Sequence, residues 1–179
     1  MEEQIGHVKL ECIQGDIAKQ HDVSVVVNAA NAELKTGGGV AGALHQAAGA
    51  ELAEAGRPFA PIQPGQAVIT QAFNLPNDYV IHCLGPVYGK DQPEAVLLRQ
   101  CYQHAIQLAE ENNISSIAFP SISTGAFGYP IEEAAEIAVD EIVQQSQHLR
   151  SLKTIRFVLF SESDQAVYES ACQSRMPHK

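Results

Sequence analysis

Residues 23–27 contain four valines in five positions, and they limit the fold of this chain more than any other segment. The run lacks the polar alternation of a strand with one solvated face, so it predicts a strand that is buried on both sides. Such a strand belongs at the centre of a sheet that helices cover on both faces. The rest of the sequence must therefore supply helices as well as further strands.

Apolar, β-branched runs alternate with helical patterns along the chain. Further strands are predicted at residues 8–13, 66–73, 79–84, 116–119 and 154–160, and helices at 38–55, 94–111, from Pro130 onward, and at 164–172. The link 74–78 is too short for a parallel crossover, so the two strands that it joins are expected to run antiparallel. This order predicts an α/β fold with three layers, α/β/α, around a central mixed sheet, with residues 1–179 forming a single domain.

The charge balance limits the possible partners. The chain has 11 Lys and Arg residues against 21 Asp and Glu residues, so its formal net charge is −10. Neutralising a nucleic-acid backbone requires clustered basic residues, and the sequence has no basic run, which argues against broad nucleic-acid binding. An acidic protein can still bind one small anion through backbone amides and a helix end.

Signals for export, membrane insertion and metal binding are missing from the sequence. The N-terminus, Met1-Glu-Glu-Gln4, leads into no apolar segment, and no apolar stretch approaches the roughly 20 residues that span a bilayer. The four cysteines are far apart and form no C-x-x-C pair; they are Cys12, Cys83, Cys101 and Cys172. We therefore expect a cytoplasmic protein with no membrane partner, no metal site and no cofactor.

Three loops that are rich in small residues follow predicted strands. The first covers residues 28–40 and includes three consecutive glycines, the second covers residues 121–128, and the third covers residues 160–163. Ligands of open α/β sheets bind beyond the carboxyl ends of the strands. Consecutive glycines let backbone amides turn toward an anion, and the positive end of a following helix strengthens the attraction. A single glycine run is often only a tight connection, but two runs at strand ends favour a diphosphate site.

A dinucleotide-binding pattern is formally present. Gly37, Gly39 and Gly42 fit G-x-G-x-x-G. That fingerprint follows its strand directly, whereas about nine residues separate Val27 from Gly37, so an NAD-dependent Rossmann oxidoreductase remains only a distant alternative. No Lys-Ser or Lys-Thr follows these glycines, as a P-loop requires, and the G-x-S-x-G of an α/β-hydrolase is absent from the sequence.

Several motifs, taken in order, resemble those of the macrodomain family. They are Gln14-Gly-Asp-Ile17, Val26-Val-Asn-Ala-Ala-Asn31, Gly37-Gly-Gly-Val40, Tyr79-Val-Ile-His82 with Gly85-Pro86, and Ser123-Thr-Gly-Ala-Phe-Gly128, and they extend over nearly the whole chain. The resemblance implies a macrodomain fold that binds ADP-ribose, either free or attached to a mono-ADP-ribosylated protein. It also implies hydrolysis of mono-ADP-ribosyl esters on acidic residues or of O-acetyl-ADP-ribose.

The same resemblance implies which residues bind the ligand. Asp16 would accept a hydrogen bond from the adenine amino group, the Ile17 amide would help to place the base, and Phe160 would offer it an aromatic face. Alternatively, Phe160 would be a core residue that ends a buried strand. Asn31 would bind the distal ribose, and Asn28 would brace the loop. The distal ribose and the diphosphate would be surrounded by Gly38, Gly39, Val40, Ser123, Thr124, Gly125, Ala126 and Phe127.

One position departs from the hydrolases of this family. MacroD-type enzymes carry an Asp directly after the Gly-Gly-Gly-Val segment, where this chain has Ala41. That carboxylate would orient the attacking water or accept its proton. His45 matches a histidine of that subgroup and would share a helix face with Ala41, or it would be a half-buried structural histidine. Asn31 and His45 are thus the catalytic candidates, and an ADP-ribose reader without turnover is the alternative function.

Overall fold

The computed structural model describes residues 1–175, and the last four residues of the predicted domain 1–179 lie outside this described part. Its strands are β1 (Glu2–Ile5), β2 (Val8–Gln14), β3 (Val25–Ala29), β4 (Ala67–Gln71), β5 (Tyr79–Cys83), β6 (Ser116–Phe119) and β7 (Thr154–Leu159). Its α-helices are α1 (Gly39–Ala48), α2 (Glu51–Gly56), α3 (Glu94–Glu111), α4 (Ile131–Ser146) and α5 (Glu162–Arg175). Short 3-10 turns occupy Ile17–Lys19 and Arg57–Phe59.

The seven strands form one mixed sheet with the order β1-β2-β7-β6-β3-β5-β4. The five inner strands are parallel to one another, whereas β1 and β4, at the two edges, run antiparallel to their neighbours. The antiparallel pairing predicted for the strands on either side of residues 74–78 is therefore confirmed. The carboxyl ends of β2, β7, β6 and β3 follow one another along one edge of the sheet. This order differs from the 3-2-1-4-5-6 order of Rossmann sheets.

Helices cover both faces of the sheet, because successive side chains of each strand point to opposite faces. Helices α3, α4 and α5 pack on one face, where Val25, Val27 and Phe157 contribute to the larger core. Helices α1 and α2 pack on the other face with Val26 and Val158. The three valines of β3 are fully buried, as their sequence pattern predicts. The predicted three-layer α/β/α fold around a mixed sheet is confirmed.

Three elements differ from the sequence-based prediction. The helix predicted at residues 38–55 is divided into α1 and α2, because Gly49 adopts a φ of 95°, which interrupts the helix. Strand β1 was not predicted, since Glu2, Glu3 and Gln4 give no apolar alternation and pairing with β2 holds them in the sheet. Pro130 precedes the first residue of α4 in an extended conformation instead of lying within its first turn.

Among residues 1–175, every helix is too short or too polar to cross a lipid bilayer.

All four cysteines are reduced and buried: Cys12, Cys83, Cys101 and Cys172. Burial raises the pKa of the Cys12 and Cys172 thiols to about 12, so both are protonated at neutral pH.

Candidate functional site

The candidate site is a cavity of about 310 Å³ at the carboxyl ends of the neighbouring strands β3 and β6. Two segments line it, one leading from the end of β3 into α1 and the other following β6. The lining residues are Ala29, Ala30, Asn31, Gly37, Gly38, Gly39, Val40, Ala41, Ser121, Ser123, Gly125, Ala126 and Phe127. None of these lining residues is charged, so the attraction of an anion to this cavity must come from backbone groups.

The loop after β6 presents a run of unpaired backbone amides. Within the part of the chain that the structure describes, the amides of residues 123–127 donate no hydrogen bond to another protein group. The carbonyls of the loop are used instead: the Tyr129 amide donates to Ser123 O at 2.9 Å, and the Tyr88 amide donates to Phe127 O at 2.8 Å. With these carbonyls paired and the amides of residues 123–127 free, the loop offers hydrogen-bond donors to a ligand.

Helix α1 adds a second set of donors to the same cavity. The first amides of an α-helix have no intrahelical acceptor, and Gly38, the N-cap of α1, has no side chain that accepts from them. The positive end of the helix dipole therefore faces a site with no other charge. A Cβ atom on Gly42 would overlap the carbonyl oxygen of Gly37, so a glycine at position 42 lets the glycine loop fold back onto the first turn of α1.

Ser121 ties the loop after β6 to α5. Its Oγ lies 2.8 Å from the Tyr168 hydroxyl oxygen and 2.7 Å from Thr124 Oγ1. Tyr168 is fully buried, and burial raises its pKa to about 12, which keeps the phenol protonated. The hydroxyl of Thr124, one of the predicted ligand residues, is thus part of the internal structure of the loop and does not line the cavity.

Asn31 lines the cavity from the segment after β3, and its side chain is held in place by Lys35. Asn31 Oδ1 accepts from the Lys35 amide at 3.0 Å, and Asn31 Nδ2 donates to Lys35 O at 2.8 Å. A primary amide has a second N–H and a second lone pair. Asn31 can therefore bind a ligand group while its orientation stays fixed by the loop.

Ala41 and His45 lie one turn apart on α1 but in different surroundings. Ala41 lines the main cavity, whereas His45 lines an adjoining cavity of about 580 Å³, and Gly37 lines both cavities. His45 is 6% exposed, and burial lowers its pKa. Among the described residues, no group forms a hydrogen bond with its Nε2. The structure thus brings Asn31 and Ala41 together in the main cavity and places His45 one turn further along α1, in the adjoining cavity.

Asn28 lies beneath α1 and not in the cavity. Its Nδ2 is 3.1 Å from His82 Nδ1, and His82 Nε2 is 2.9 Å from Thr70 Oγ1. Burial, together with the nearby His45, lowers the pKa of His82 to about 3, so this imidazole is neutral. Asn28 then donates to Nδ1, and His82 donates from Nε2 to Thr70. These hydrogen bonds fix the end of β3 from which Asn31 extends.

The predicted adenine residues lie at the next two strand ends. Asp16 follows β2 and Phe160 follows β7, and the Gly15 amide joins these ends by donating to Leu159 O at 2.9 Å. Phe160 is 89% exposed, so the alternative that it is a core residue is wrong. Three steps of about 4.8 Å separate β2 from β3, so the predicted adenine and ribose residues are spread over about 14 Å of the sheet edge.

The 3-10 turn after β2 orients Asp16 and Ile17. Asp16 is the N-cap of this turn, and its Oδ1 accepts from the Ala18 amide at 2.9 Å. The side chain of Ile17 is buried in the core beside α1, which leaves its backbone as the only part that a base could reach. Asp16 itself is exposed, and its second carboxylate oxygen is not used in this cap bond.

Arg156 anchors the segment that follows this turn. From its buried position on β7 it donates to Gln20 Oε1 at 2.9 Å, to Asp22 at 2.7 Å and to Glu11 Oε2 at 3.2 Å. The hydrogen bonds to Arg156 lower the pKa of the Asp22 carboxyl to about 2. The ionic cluster holds residues 20–22 against the sheet, and the Gly15 amide is bonded to Leu159 O. The segment that carries Asp16 is therefore fixed both before and after the 3-10 turn.

Five cavity residues had no individual ligand role predicted from the sequence. They are Ala29, Ala30, Gly37, Ala41 and Ser121. All but Ala41 lie in the loops 28–40 and 121–128 that the strand-end rule selected, and Ala41 is the position that departs from the MacroD-type enzymes. The support that Tyr168 gives to Ser121 has no local sequence signal.

Within residues 1–175, no three His, Cys, Asp or Glu side chains are grouped as metal ligands.

Comparison with known proteins identifies close relatives of this architecture. The family model described as Macro domain matches residues 27–138. The O-acetyl-ADP-ribose deacetylase of Klebsiella pneumoniae is 48% identical over 166 residues, which cover 90% of this chain and 94% of the relative. The ADP-ribose glycohydrolase MACROD1 of Mus musculus is 40% identical over 174 residues, which cover 95% of this chain and 52% of the relative.

A solved structure shares the fold over nearly its full length. It is a mutant of the Oceanobacillus iheyensis macrodomain with ADPR, and it has a TM-score of 0.92 and 40% sequence identity to this chain. The match covers 97% of this chain and 97% of that chain.

Proposed function

Because this chain belongs to the Macro domain family, we propose that it binds ADP-ribose in the cavity between β3 and β6 and hydrolyses ADP-ribosyl esters. The substrates proposed are mono-ADP-ribose on acidic residues of a protein and O-acetyl-ADP-ribose. The names of the Klebsiella and mouse relatives and the ADPR in the Oceanobacillus structure support this class of ligand. We also propose that the protein acts in the cytoplasm as a single domain.

The observation that carries the proposal is the set of free amides around an uncharged cavity. The loop after β6 and the first turn of α1 both offer N–H donors, and they line the same space. A diphosphate placed between them accepts hydrogen bonds from both sides. Oriented amides in a water-poor site attract an anion without a Lys or Arg, which suits a protein with a net charge of −10.

The adenine end of the ligand is assigned to the strand ends of β2 and β7. Asp16 accepts a hydrogen bond from the adenine amino group, and the Ile17 amide hydrogen-bonds the base. Phe160 lies with its ring almost fully exposed, as a face on which adenine stacks. The hydrogen bonds of Arg156 to residues 20–22 keep this platform rigid.

The distal ribose is assigned to the other end of the cavity. Gly38, Gly39 and Val40 line its floor, Phe127 covers it, and Asn31 hydrogen-bonds a ribose hydroxyl with the part of its amide that Lys35 leaves free. Ser123, Thr124, Gly125 and Ala126 enclose the diphosphate through their amides.

Hydrolysis adds one water molecule across the ester C–O bond and yields ADP-ribose and a carboxylic acid. None of the residues that line the cavity is a Glu, Asp or His, so no lining side chain is a strong base. Asn31 therefore orients the water, and a phosphate oxygen of the substrate, held by the loop amides, accepts its proton. His45 lines the adjoining cavity and not the main one, so its proposed part in catalysis is to position the turn of α1 that carries Ala41.

A second candidate function is an ADP-ribose reader without turnover. Ala41 favours it, because this residue lines the cavity at the position where the MacroD-type hydrolases carry an Asp. The reader and the hydrolase share all the binding contacts described above, and they differ only in whether the bound ester is cleaved.

Two measurements test the proposal. Calorimetry with ADP-ribose, NAD and ATP should give binding of ADP-ribose, and tight binding of NAD without binding of ADP-ribose would overturn the proposal. Release of ADP-ribose from O-acetyl-ADP-ribose and from a mono-ADP-ribosylated acidic protein then separates hydrolase from reader. Asn31→Ala should lower this release at least tenfold, whereas Asn112→Ala, at an exposed position at the end of α3, should match the wild type.

A further inference from the structure

A second cavity, of about 290 Å³, adjoins the candidate site. Asn31 and Phe127 line both cavities, so these two residues form the boundary between them. The remaining wall of the second cavity comes from Ala32, from the segment 61–64 and from the loop that follows β5. Its position next to Asn31 places it beside the predicted reacting end of an ADP-ribosyl ester.

The wall of this second cavity is held by backbone hydrogen bonds. The Ile62 amide donates to Ala32 O at 2.9 Å, which joins the segment 61–64 to the loop of Asn31. The Tyr88 amide donates to Phe127 O at 2.8 Å, which joins the loop after β5 to the loop after β6. The cavity is therefore formed by four segments that these hydrogen bonds join in pairs, and it is not a gap between independent loops.

The chemistry of this wall differs from that of the main cavity. Its lining is mostly aliphatic or aromatic, with Pro61, Ile62, Pro64, Leu84, Val87 and Phe127. None of the described residues that line it is a Lys or Arg, and its one charged residue, Asp91, uses a carboxylate oxygen to accept from the Val87 amide at 2.8 Å. Such a wall favours an uncharged apolar group and disfavours an anion.

We propose that this second cavity is an acyl pocket: it holds the acyl group of an ADP-ribosyl ester and prefers uncharged aliphatic chains longer than acetyl. The inference rests on the proposed function, because the ester must have its diphosphate in the main cavity for its acyl group to pass between Asn31 and Phe127. One water molecule takes about 30 Å³ in the liquid, so the acyl pocket has room for more than the three heavy atoms of an acetyl group.

The acyl pocket also has a consequence for product release. Hydrolysis converts a neutral ester into a carboxylic acid, which loses its proton at neutral pH. The resulting carboxylate meets an apolar wall, no Lys or Arg among the described lining residues, and the carboxylate of Asp91. The pocket therefore binds the acyl group before cleavage and repels it afterwards.

The test is a binding series with ADP-ribose derivatives in which an amide replaces the ester, so that no turnover occurs. Acetyl, propionyl, butyryl and succinyl amides on the distal ribose are compared with ADP-ribose by calorimetry. Affinity should rise about two- to fourfold for each added methylene group, since a fully buried methylene contributes about 0.8 kcal/mol and 1.4 kcal/mol is tenfold. The charged succinyl derivative should bind more weakly than the butyryl derivative.

Two variants test whether the dependence of affinity on chain length arises in the acyl pocket. Val87→Phe fills the acyl pocket and should abolish the dependence on chain length, while Val96→Phe, at a 49% exposed position on α3, is the matched control and should retain it. Should Val87→Phe fail to fold, the wild-type series still decides, because its chain-length and charge dependence are measured without any substitution.

The remaining outcomes overturn the acyl pocket in distinguishable ways. Three outcomes would show that this cavity does not bind the acyl group, while leaving the proposed function intact. They are an affinity that does not depend on chain length, a preference for succinyl, and a chain-length effect that persists in Val87→Phe. Tighter binding that occurs only with an ADP-ribosylated peptide would make this cavity a peptide site. A protein that does not bind ADP-ribose at all would overturn both the proposed function and this inference.

Discussion

The hydroxyl oxygen of Ser123 lies where the side chain of residue 85 would begin, so that a Cβ atom on Gly85 would overlap Ser123 Oγ. Ser123 has a positive φ of 69°, and its Oγ is buried without a hydrogen-bond partner among residues 1–175. Gly85 lines the acyl pocket, and Ser123 lines the main cavity. The contact between these two residues therefore sets the distance between the loops that shape both cavities.

Replacement of Gly85 tests this contact. Gly85→Ala should force the loop after β6 outward and lower the affinity for ADP-ribose at least tenfold, with a loss of about 1–3 kcal/mol in unfolding free energy from overpacking. Calorimetry and urea unfolding measure the two effects. Gly125→Ala is the control for stability, because its Cβ would enter open space; its unfolding free energy should change by about 0.5 kcal/mol or less. Unchanged affinity in Gly85→Ala would show that this contact does not control the binding loop.

The role of Asp16 is tested by two substitutions. Asp16→Ala removes both the proposed adenine contact and the cap of the 3-10 turn, and it should weaken ADP-ribose binding by about 1.5–3 kcal/mol. Asp16→Asn keeps an oxygen that can accept from the Ala18 amide, so its melting temperature should stay close to that of the wild type while its affinity falls to an intermediate value. If the dissociation constant of Asp16→Ala equals that of the wild type, Asp16 is not part of the site.

The dependence of binding on ionic strength tests how the diphosphate is held. The main cavity is lined by no charged residue, and fixed amide dipoles in a desolvated site are screened less than exposed charges. Raising salt from about 0.05 to 0.5 M should therefore weaken ADP-ribose binding only modestly, by about threefold or less. A decrease of a hundredfold or more in a calorimetric titration would mean that basic side chains carry the anion.

Ala41→Asp tests the position of the missing carboxylate. Ala41 lines the cavity beside the proposed ribose site, so an Asp there would be near the attacking water. General bases contribute about 10²–10⁴-fold, and a grafted residue without supporting contacts should give less, so we expect about a tenfold rise in ADP-ribose release from an acidic-residue ester. Repulsion from the diphosphate should weaken affinity. Ala41→Asn is the uncharged control and should give no rise; equal rates in the two variants would show that residue 41 is not the position of the base.

The buried histidine His82 predicts how stability depends on pH. Its pKa of about 3 in the folded protein lies below its ordinary value of 6.5, so between these values the unfolded chain binds a proton that the folded chain does not. Unfolding free energy should therefore rise with pH in this window, by at most about 1.4 kcal/mol per pH unit for this one group. Burial of His45 acts in the same direction.

Urea unfolding at pH 5, 6 and 7.5 measures this slope. His82→Gln should flatten it, because the variant lacks the group that titrates. His148→Gln, at an exposed position near the end of α4, is the matched control and should keep the slope of the wild type. Parallel curves for wild type and His82→Gln would contradict the assignment.

The fold could be predicted where the sequence pattern reflects local geometry. Helix α3 and strand β6 have the predicted bounds, because a long amphipathic pattern and a short apolar run are unambiguous. Strand β1 could not be predicted, since its residues are polar and only the pairing with β2 orders them. The division between α1 and α2 depends on the conformation of Gly49, and a glycine in a helical pattern does not reveal its φ.

The site could be predicted to the level of its loops but not to the level of each side chain. The glycine loop and residues 123–127 lie together as expected, because both follow parallel strands at one edge of the sheet. His45 is one turn from Ala41 as expected, but the sequence did not show that it lines the adjoining cavity and not the main one. The second cavity was not predicted, since it forms where four segments that are distant in sequence meet.

The rates at which the four buried thiols are alkylated would report how often the helices that cover them move away from the sheet. Cys83 and Cys101 lie between β5 and α3, where the Cys83 thiol contacts Cys101 O at 3.6 Å, and Cys12 lies beneath α5, with its thiol 3.8 Å from Gln165 O. An alkylating reagent can reach either region only when a helix lifts from the sheet. The labelling rate of Cys83 and Cys101 therefore measures how often α3 lifts from the sheet, and the labelling rate of Cys12 measures how often α5 lifts. No label has to be engineered for either measurement.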